Sequence, residues 1–226
     1  MPMPNLDDML ALSPWAGELT PEQLAVVRAA ILERNYGAGS FVCRKGEPAA
    51  MWVGVIDGLV KINCFSDAGK SVTFAGVPAG SWFGEGSVLK GEARRYDVIA
   101  LRASRIAMMP QETFHWLLDT SFAFNRFLLM QLNERLSYFI GMVEQERLLD
   151  PDARVARSLS SLFNHALYPG AKPEVQISQE ELGYLAGVSR QRANQALQTL
   201  EAAALLKVNY GSISILDVDG LRKFCA

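Results

Sequence analysis

Residues 177–200 read ISQEELGYLAGVSRQRANQALQTL, and the architecture of the whole chain is decided there. Ser178 followed three positions later by Glu181 is a capping box, opening a short helix that contains Leu182 and Leu185. Gly187 and Val188 interrupt that helix, and Ser189 caps a second one running to about Ala204. Two helices joined by a short glycine-containing turn form a helix-turn-helix. Ala186, Val188, Ala193, Ala196, Leu197 and Leu200 supply the apolar side that locks such a pair together. The other side of the second helix carries Arg190, Gln191, Asn194 and Gln195 in its first two turns. These side chains suit base edges in the major groove: arginine bonds guanine in bidentate fashion, and glutamine and asparagine do the same for adenine. Arg192 points away from this face, toward phosphate. Residues 207–216 alternate around Asn209, Tyr210, Gly211 and Ser212, a hairpin placed as a wing.

Toward the N-terminus, residues 168–173 hold two prolines and a glycine and read as a loop, preceded by an amphipathic helix over 153–167 with Val155, Leu159 and Leu162 on one side. Pro151 and Asp152 end a helical region and mark a hinge. Within that region residues 111–118 form a short helix, and Ser121 caps a longer one. Leu129, Leu132, Leu136, Phe139 and Val143 recur along it at alternating spacings of three and four, a heptad seam that buries itself against another helix. The seam covers little more than two heptads, so packing on the opposite face has to support it. From Tyr36 to Met109 closely spaced glycines punctuate short apolar segments, of which 51–56, 59–65 and 71–77 read as strands of a jelly-roll-type β-domain. Before it, Thr20 and Pro21 open a helix with Leu24, Val27 and Ile31 as its stripe. The expected fold is α+β: a β-barrel sensor domain over 1–120, a dimerisation helix over 121–150 and a winged helix-turn-helix over 153–226.

The 226 residues are half apolar and one-fifth charged, with a net charge of −2, as in an ordinary globular protein. No apolar run approaches the roughly 18 residues of a membrane span. Residues 1–12 lack the basic start and apolar stretch of a secretory signal, so the reading is cytoplasmic. Cys43, Cys64 and Cys225 are isolated, which argues against a disulfide framework, a zinc site or a four-cysteine cluster. His115 and His165 have no second ligand type at metal spacing and read as structural, although one histidine suffices for a haem. No nucleophile–base pair, metal cluster or phosphate loop appears, so no catalytic residue is assigned. From Ala153 onward eight Lys/Arg face six Asp/Glu, whereas the preceding residues hold fourteen against eighteen. The mild positive balance falls on the helix-turn-helix.

Two stretches resemble the Crp/Fnr family of transcription regulators. One is Gly80-Ser81-Trp82-Phe83-Gly84-Glu85, similar to the family's phosphate-binding cassette; the other runs from Ile177 to Gly183 and on into Gly187-Val188-Ser189-Arg190, similar to its helix-turn-helix. The resemblance implies an effector site at Gly84 and Glu85, with Arg95 at the family's spacing, and phosphate contacts at Ser178 and Ser189. It implies that Arg190 contacts guanine, while Gln191 and Gln195 replace a family glutamate and arginine and shift half-site preference. Tyr96 stands where the family has a serine, Asp97 follows it, and Phe139 and Ile140 replace hydroxyl-bearing helix positions. A ring and a carboxylate there obstruct and repel an anion, so an apolar or aromatic effector or a haem suits the space better than cyclic AMP. The cofactor stays open between a cyclic nucleotide and a haem.

The function so read is sequence-specific binding of double-stranded DNA by a homodimer, on an inverted repeat, switched by a small-molecule effector and working with RNA polymerase. The alternative is a cyclic-nucleotide-binding module that governs another activity without binding DNA.

Overall fold

The computed structural model describes residues 4–66, 69 and 71–224; Cys225 lies outside them. Three short helices come first, α1 (Leu6–Leu12), α2 (Pro14–Gly17) and α3 (Pro21–Ala30). Strands β1 (Leu32–Tyr36), β2 (Phe41–Cys43), β3 (Met51–Asp57), β4 (Leu59–Phe65), β5 (Ser71–Pro78) and β6 (Ser81–Phe83) follow, then α4 (Glu85–Lys90), β7 (Asp97–Ala100) and β8 (Ser104–Pro110). Helices α5 (Gln111–Thr120), α6 (Phe122–Leu148) and α7 (Pro151–Ser161) lead into β9 (Glu174–Val175), α8 (Gln179–Ala186), α9 (Arg190–Ala202), β10 (Leu206–Asn209), β11 (Ser212–Ile215) and α10 (Val218–Lys223).

Among the described residues the first eight strands make two antiparallel four-stranded sheets, ordered β1-β8-β3-β6 and β2-β7-β4-β5. Their facing side chains, among them Val53, Val55, Val60, Ile62, Val77, Phe83 and Val98, close the barrel core. This is the jelly-roll arrangement expected from the glycine spacing. A second core lies outside the first sheet, where Trp15, Trp52, Trp82, Phe114 and Phe124 pack together. Trp52 and Trp82 stack with ring centres 4.5 Å apart, and Trp82 Nε1 donates to Ser13 Oγ at 2.8 Å. Burying each such ring stabilises the fold by roughly 1.5–3 kcal/mol, and Phe124 fastens the start of α6 to the barrel through it.

Helix α6 presents two stripes. Phe124, Leu128 and Gln131 are buried against the barrel. Leu129, Leu136 and Val143 are 69, 59 and 46% exposed, Phe139 is 38% exposed, and Leu132 is half-buried between the two sides. The heptad seam therefore faces outward in the single chain.

The C-terminal unit has its own core of Val155, Leu159, Leu182, Ala196, Leu197 and Leu200, with wing residues Leu206, Ile213 and Ile215. Tyr210 and Gly211 form the two-residue turn of the wing, where Gly211 takes φ 77. Four local readings change. The chain breaks at Leu149 and Asp150, because Asp150 caps α7 and Pro151 occupies its first helical position rather than ending α6. Helix α7 stops at Ser161, and Asn164 Oδ1 then accepts from the amides of Ala166 and Leu167 (3.0 and 3.2 Å) to turn the chain. The box at Ser178 is half-formed: Ser178 Oγ accepts from Glu181 N at 3.1 Å, but the Glu181 carboxylate goes to Lys61 in β4. Helix α9 ends at Ala202, since Ala204 adopts a left-handed φ of 56.

A β-carbon at that φ is strained by about 1 kcal/mol. Ala204→Gly is expected to raise unfolding stability by roughly 0.5–1 kcal/mol, read from denaturant midpoints at unchanged slope.

Candidate functional site

The head presents one polar surface. Ser178 and Ser189 cap α8 and α9, accepting from Glu181 N at 3.1 Å and Arg192 N at 3.2 Å, and both stay exposed with their hydroxyl hydrogens free for an acceptor. Arg190, Gln191 and Gln195 are exposed along the start of α9. Arg190 lines a groove of about 450 Å³ together with Ser178, Gln179 and the wing tip from Asn209 to Ser212. Tyr210 projects fully at that tip. Asn194 is less available than its spacing promises, being half-buried with Oδ1 accepting from Gln179 Nε2 at 2.9 Å. Arg192 is turned inward to Asp152 at 2.8 Å, which fixes α9 against α7 and removes it from the phosphate-facing side. The glycine inside α8 has a steric reason. A β-carbon on Gly183 would lie 2.9 Å from the Val188 carbonyl oxygen, so the two helices approach closely only without one.

The barrel holds a second candidate site, a cavity of about 250 Å³ lined by Ile62, Ala75, Gly84, Glu85, Gly86, Tyr96, Leu132, Arg135, Tyr138, Phe139 and Tyr168. It brings together Gly84, Glu85, Tyr96 and Phe139 from the sequence reading. Arg95 is not among them: its side chain is 70% exposed and pairs with Glu92 at 2.9 Å. The partner of Glu85 is Arg135 of α6, with Nε 2.5 Å from Oε1. Arg135 also donates to the Trp82 carbonyl at 2.7 Å. Sequence spacing around Glu85 pointed to its own loop, while the cation came from a helix fifty residues on. Asp97 is also turned away, accepting from Lys45 N at 2.9 Å, and Ile140 is 61% exposed outside the cavity. Met142 lines a separate crevice beside Phe74 and Tyr184.

Burial opposes the charge on Arg135, but the Glu85 carboxylate and the phenols of Tyr168 and Tyr96 outweigh it and hold its pKa above the usual arginine value. Burial, aided by Glu85 and countered by Arg135 and Arg94, pushes the Tyr96 phenol up to about 12. Burial likewise raises Tyr138 and Tyr168. These residues do not fit a cyclic nucleotide. The lining cation is already bound by a carboxylate and a carbonyl, which leaves it no charge for a phosphate, and four aromatic rings line the space. Nor do they fit a haem: among the described residues neither histidine nor cysteine lines the cavity, and burial keeps the three lining tyrosines in the protonated form that is a poor ligand for iron. His115 Nε2 instead meets the Val88 carbonyl at 3.1 Å, and His165 is exposed. Cys43 and Cys64 are free thiols whose pKa burial raises.

Two family models match the chain: a cyclic nucleotide-binding domain over residues 33–121 and a Crp-like helix-turn-helix domain over 153–224. The cAMP-activated global transcriptional regulator CRP of Haemophilus influenzae is 26% identical over 184 residues, covering 80% of this chain and 82% of that one. The CRP-like protein Clp of Xanthomonas campestris is 27% identical over 181 residues, covering 76% and 79%. The chain belongs to the Crp/Fnr family. It is a transcription regulator of that type, with a cyclic-nucleotide-binding-like domain and a DNA-binding helix-turn-helix, and its relatives are regulators rather than enzymes. The structure of FixK2 from Bradyrhizobium japonicum has the same fold, with a TM-score of 0.74 at 17% identity over 87% of this chain and 98% of that one. No helix among the described residues is long and apolar enough to cross a membrane.

Within this Crp/Fnr barrel the raised phenols have a measurable consequence. A tyrosine of the unfolded chain ionises near 10, whereas folded Tyr96 holds its proton to about 12. Above pH 10 the unfolded state therefore binds fewer protons, and stability is lost as pH rises through the folded value. Denaturant titrations are expected to show constant stability from this source below pH 10 and a loss of about 2–3 kcal/mol from Tyr96 by pH 12. The tyrosinate absorbance of the buried phenols should appear in step with unfolding, after that of exposed tyrosines such as Tyr210.

Proposed function

We propose that the chain is a sequence-specific DNA-binding regulator that acts as a homodimer on an inverted-repeat operator. In this reading residues 1–120 sense, 121–150 dimerise and 153–226 read DNA, in the cytoplasm and together with RNA polymerase. The observation that carries it is the exposed start of α9, where Arg190, Gln191 and Gln195 stand beside the wing, capped by Ser189. A capped helix of that kind enters the major groove N-terminus first, and its dipole and cap hydroxyl meet phosphate. Pairing of two chains along Leu129, Leu132, Leu136, Phe139 and Val143 would place two such helices roughly 34 Å apart, one turn of duplex.

A nucleotide-binding module without DNA binding would leave that exposed polar face without use. The effector suited to the cavity is a small uncharged molecule rather than an anion, given the committed charge of Arg135.

Arg190→Ala is expected to relax base preference at one position of each half-site, a loss of about 1–3 kcal/mol of discrimination. Selection from a randomised operator library measures it, and unchanged selectivity would reject the assignment. Leu136→Asp puts a charge in the centre of the seam. Sedimentation should then show monomers, and affinity for a full inverted repeat should drop to that for a half-site; a dimer that persists would place the interface elsewhere.

A further inference from the structure

Asn194 stands in the second turn of α9, four residues after Arg190 and on the same face. A free asparagine there reads adenine by turning both atoms of its amide to the base, the oxygen to N6 and the nitrogen to N7. The fold does not leave this one free. Gln179, the first residue of α8, donates from Nε2 to Asn194 Oδ1 at 2.9 Å. Both side chains are half-buried, and the helices that carry them are fixed. Ser178 caps α8 immediately before Gln179, Ser189 caps α9, and the close approach of Gly183 to the Val188 carbonyl sets the spacing between them. The Asn194 oxygen is therefore turned toward α8. Its Nδ2 makes no hydrogen bond among the described residues and is not one of the buried unpartnered atoms, so it is the atom left for a base.

What such an amide can read follows from the base edges. An NH2 group only donates. In the major groove guanine offers two adjacent acceptors, N7 and O6, whereas adenine offers an acceptor beside a donor and cytosine offers a donor. With Oδ1 held back, adenine loses half of its bidentate contact, and its N6 donor faces another donor. Guanine gains in its place. An amide held before DNA arrives also loses less side-chain freedom at the interface.

We infer that Gln179 is a positioning residue: by taking Oδ1 it turns Asn194 from an adenine reader into a guanine reader, so base choice at one operator position is set from outside the reading helix. This rests on the DNA-binding reading and adds to it a residue pair and the base that the pair selects.

The test is selection of a randomised inverted-repeat library by the full chain, read as base frequencies at each position. The position served by Asn194 is the one that Asn194→Ala levels. There the unaltered protein should favour guanine over adenine by about tenfold, within the worth of one bidentate pair. Gln179→Ala releases the amide, and adenine should overtake guanine at that position while the position read by Arg190 keeps its preference. Asn194→Asp retains the bond from Gln179 but turns an acceptor outward, so preference should move to cytosine, whose N4 donates. A Gln179 that merely packed would, on truncation, weaken binding to all sequences without exchanging one base for another. Adenine favoured by the unaltered protein at the Asn194 position overturns the inference; so does a base profile that Gln179→Ala leaves unchanged, or an Asn194→Ala that levels no position. Each of these leaves DNA reading by α9 intact, whereas a chain that enriches no sequence overturns that reading and this inference with it. If Gln179→Ala does not fold, Asn194→Asp decides: guanine still favoured there overturns it.

Discussion

Helix α6 has to satisfy two surfaces at once, and the other parts of the molecule are arranged around that constraint. Its inner stripe is apolar at the start, where Phe124 and Leu128 enter the tryptophan core, and polar further on. There Gln131 Nε2 and Arg135 Nη2 both donate to the Trp82 carbonyl, at 3.1 and 2.7 Å. Arg135 adds the buried pair with Glu85 at the first turn of α4. A buried ion pair of this kind contributes little net stability, because desolvation offsets attraction, but losing one member is costly. It therefore fixes the register of α6 on the barrel more than it strengthens the fold. The outer stripe, apolar and exposed in the single chain, is left for another surface to cover.

The same logic explains strand β4. Its first five residues are buried although successive side chains point to opposite faces. Val60 and Ile62 face the barrel core; Leu59 and Lys61 face the head, which covers the outside of the β4–β5 sheet. Lys61 is 7% exposed only because Glu181 meets it. Gly76 in β5 lets Leu162 of the head come close to the sheet, since a β-carbon there would lie 2.7 Å from Leu162 Cδ2. The capping box at Ser178 is given up for this docking: the carboxylate that would have turned back onto its own helix reaches across to the barrel instead.

Local pattern carried the fold. Caps at Thr20, Ser121 and Ser189, the glycine-spaced strands and the wing turn all depend on neighbours in sequence, and each forms where the pattern put it. The outward stripe of α6 was visible as a period, although two of its members, Leu132 and Phe139, also line the cavity. The cavity was not legible, because its chemistry is assembled from distant positions. Glu85 draws its cation from α6, Arg95 swings out to Glu92, and Tyr168 arrives from a loop that composition alone marks as solvent-exposed. Only the ring of Tyr168, flanked by Leu167 and Pro169, hinted that this loop carries apolar cargo. Gly84 shows how a motif can persist with a different duty. Its φ of 85 and absent β-carbon make room for the Arg94 guanidinium, which donates to the Met51 carbonyl beneath the turn.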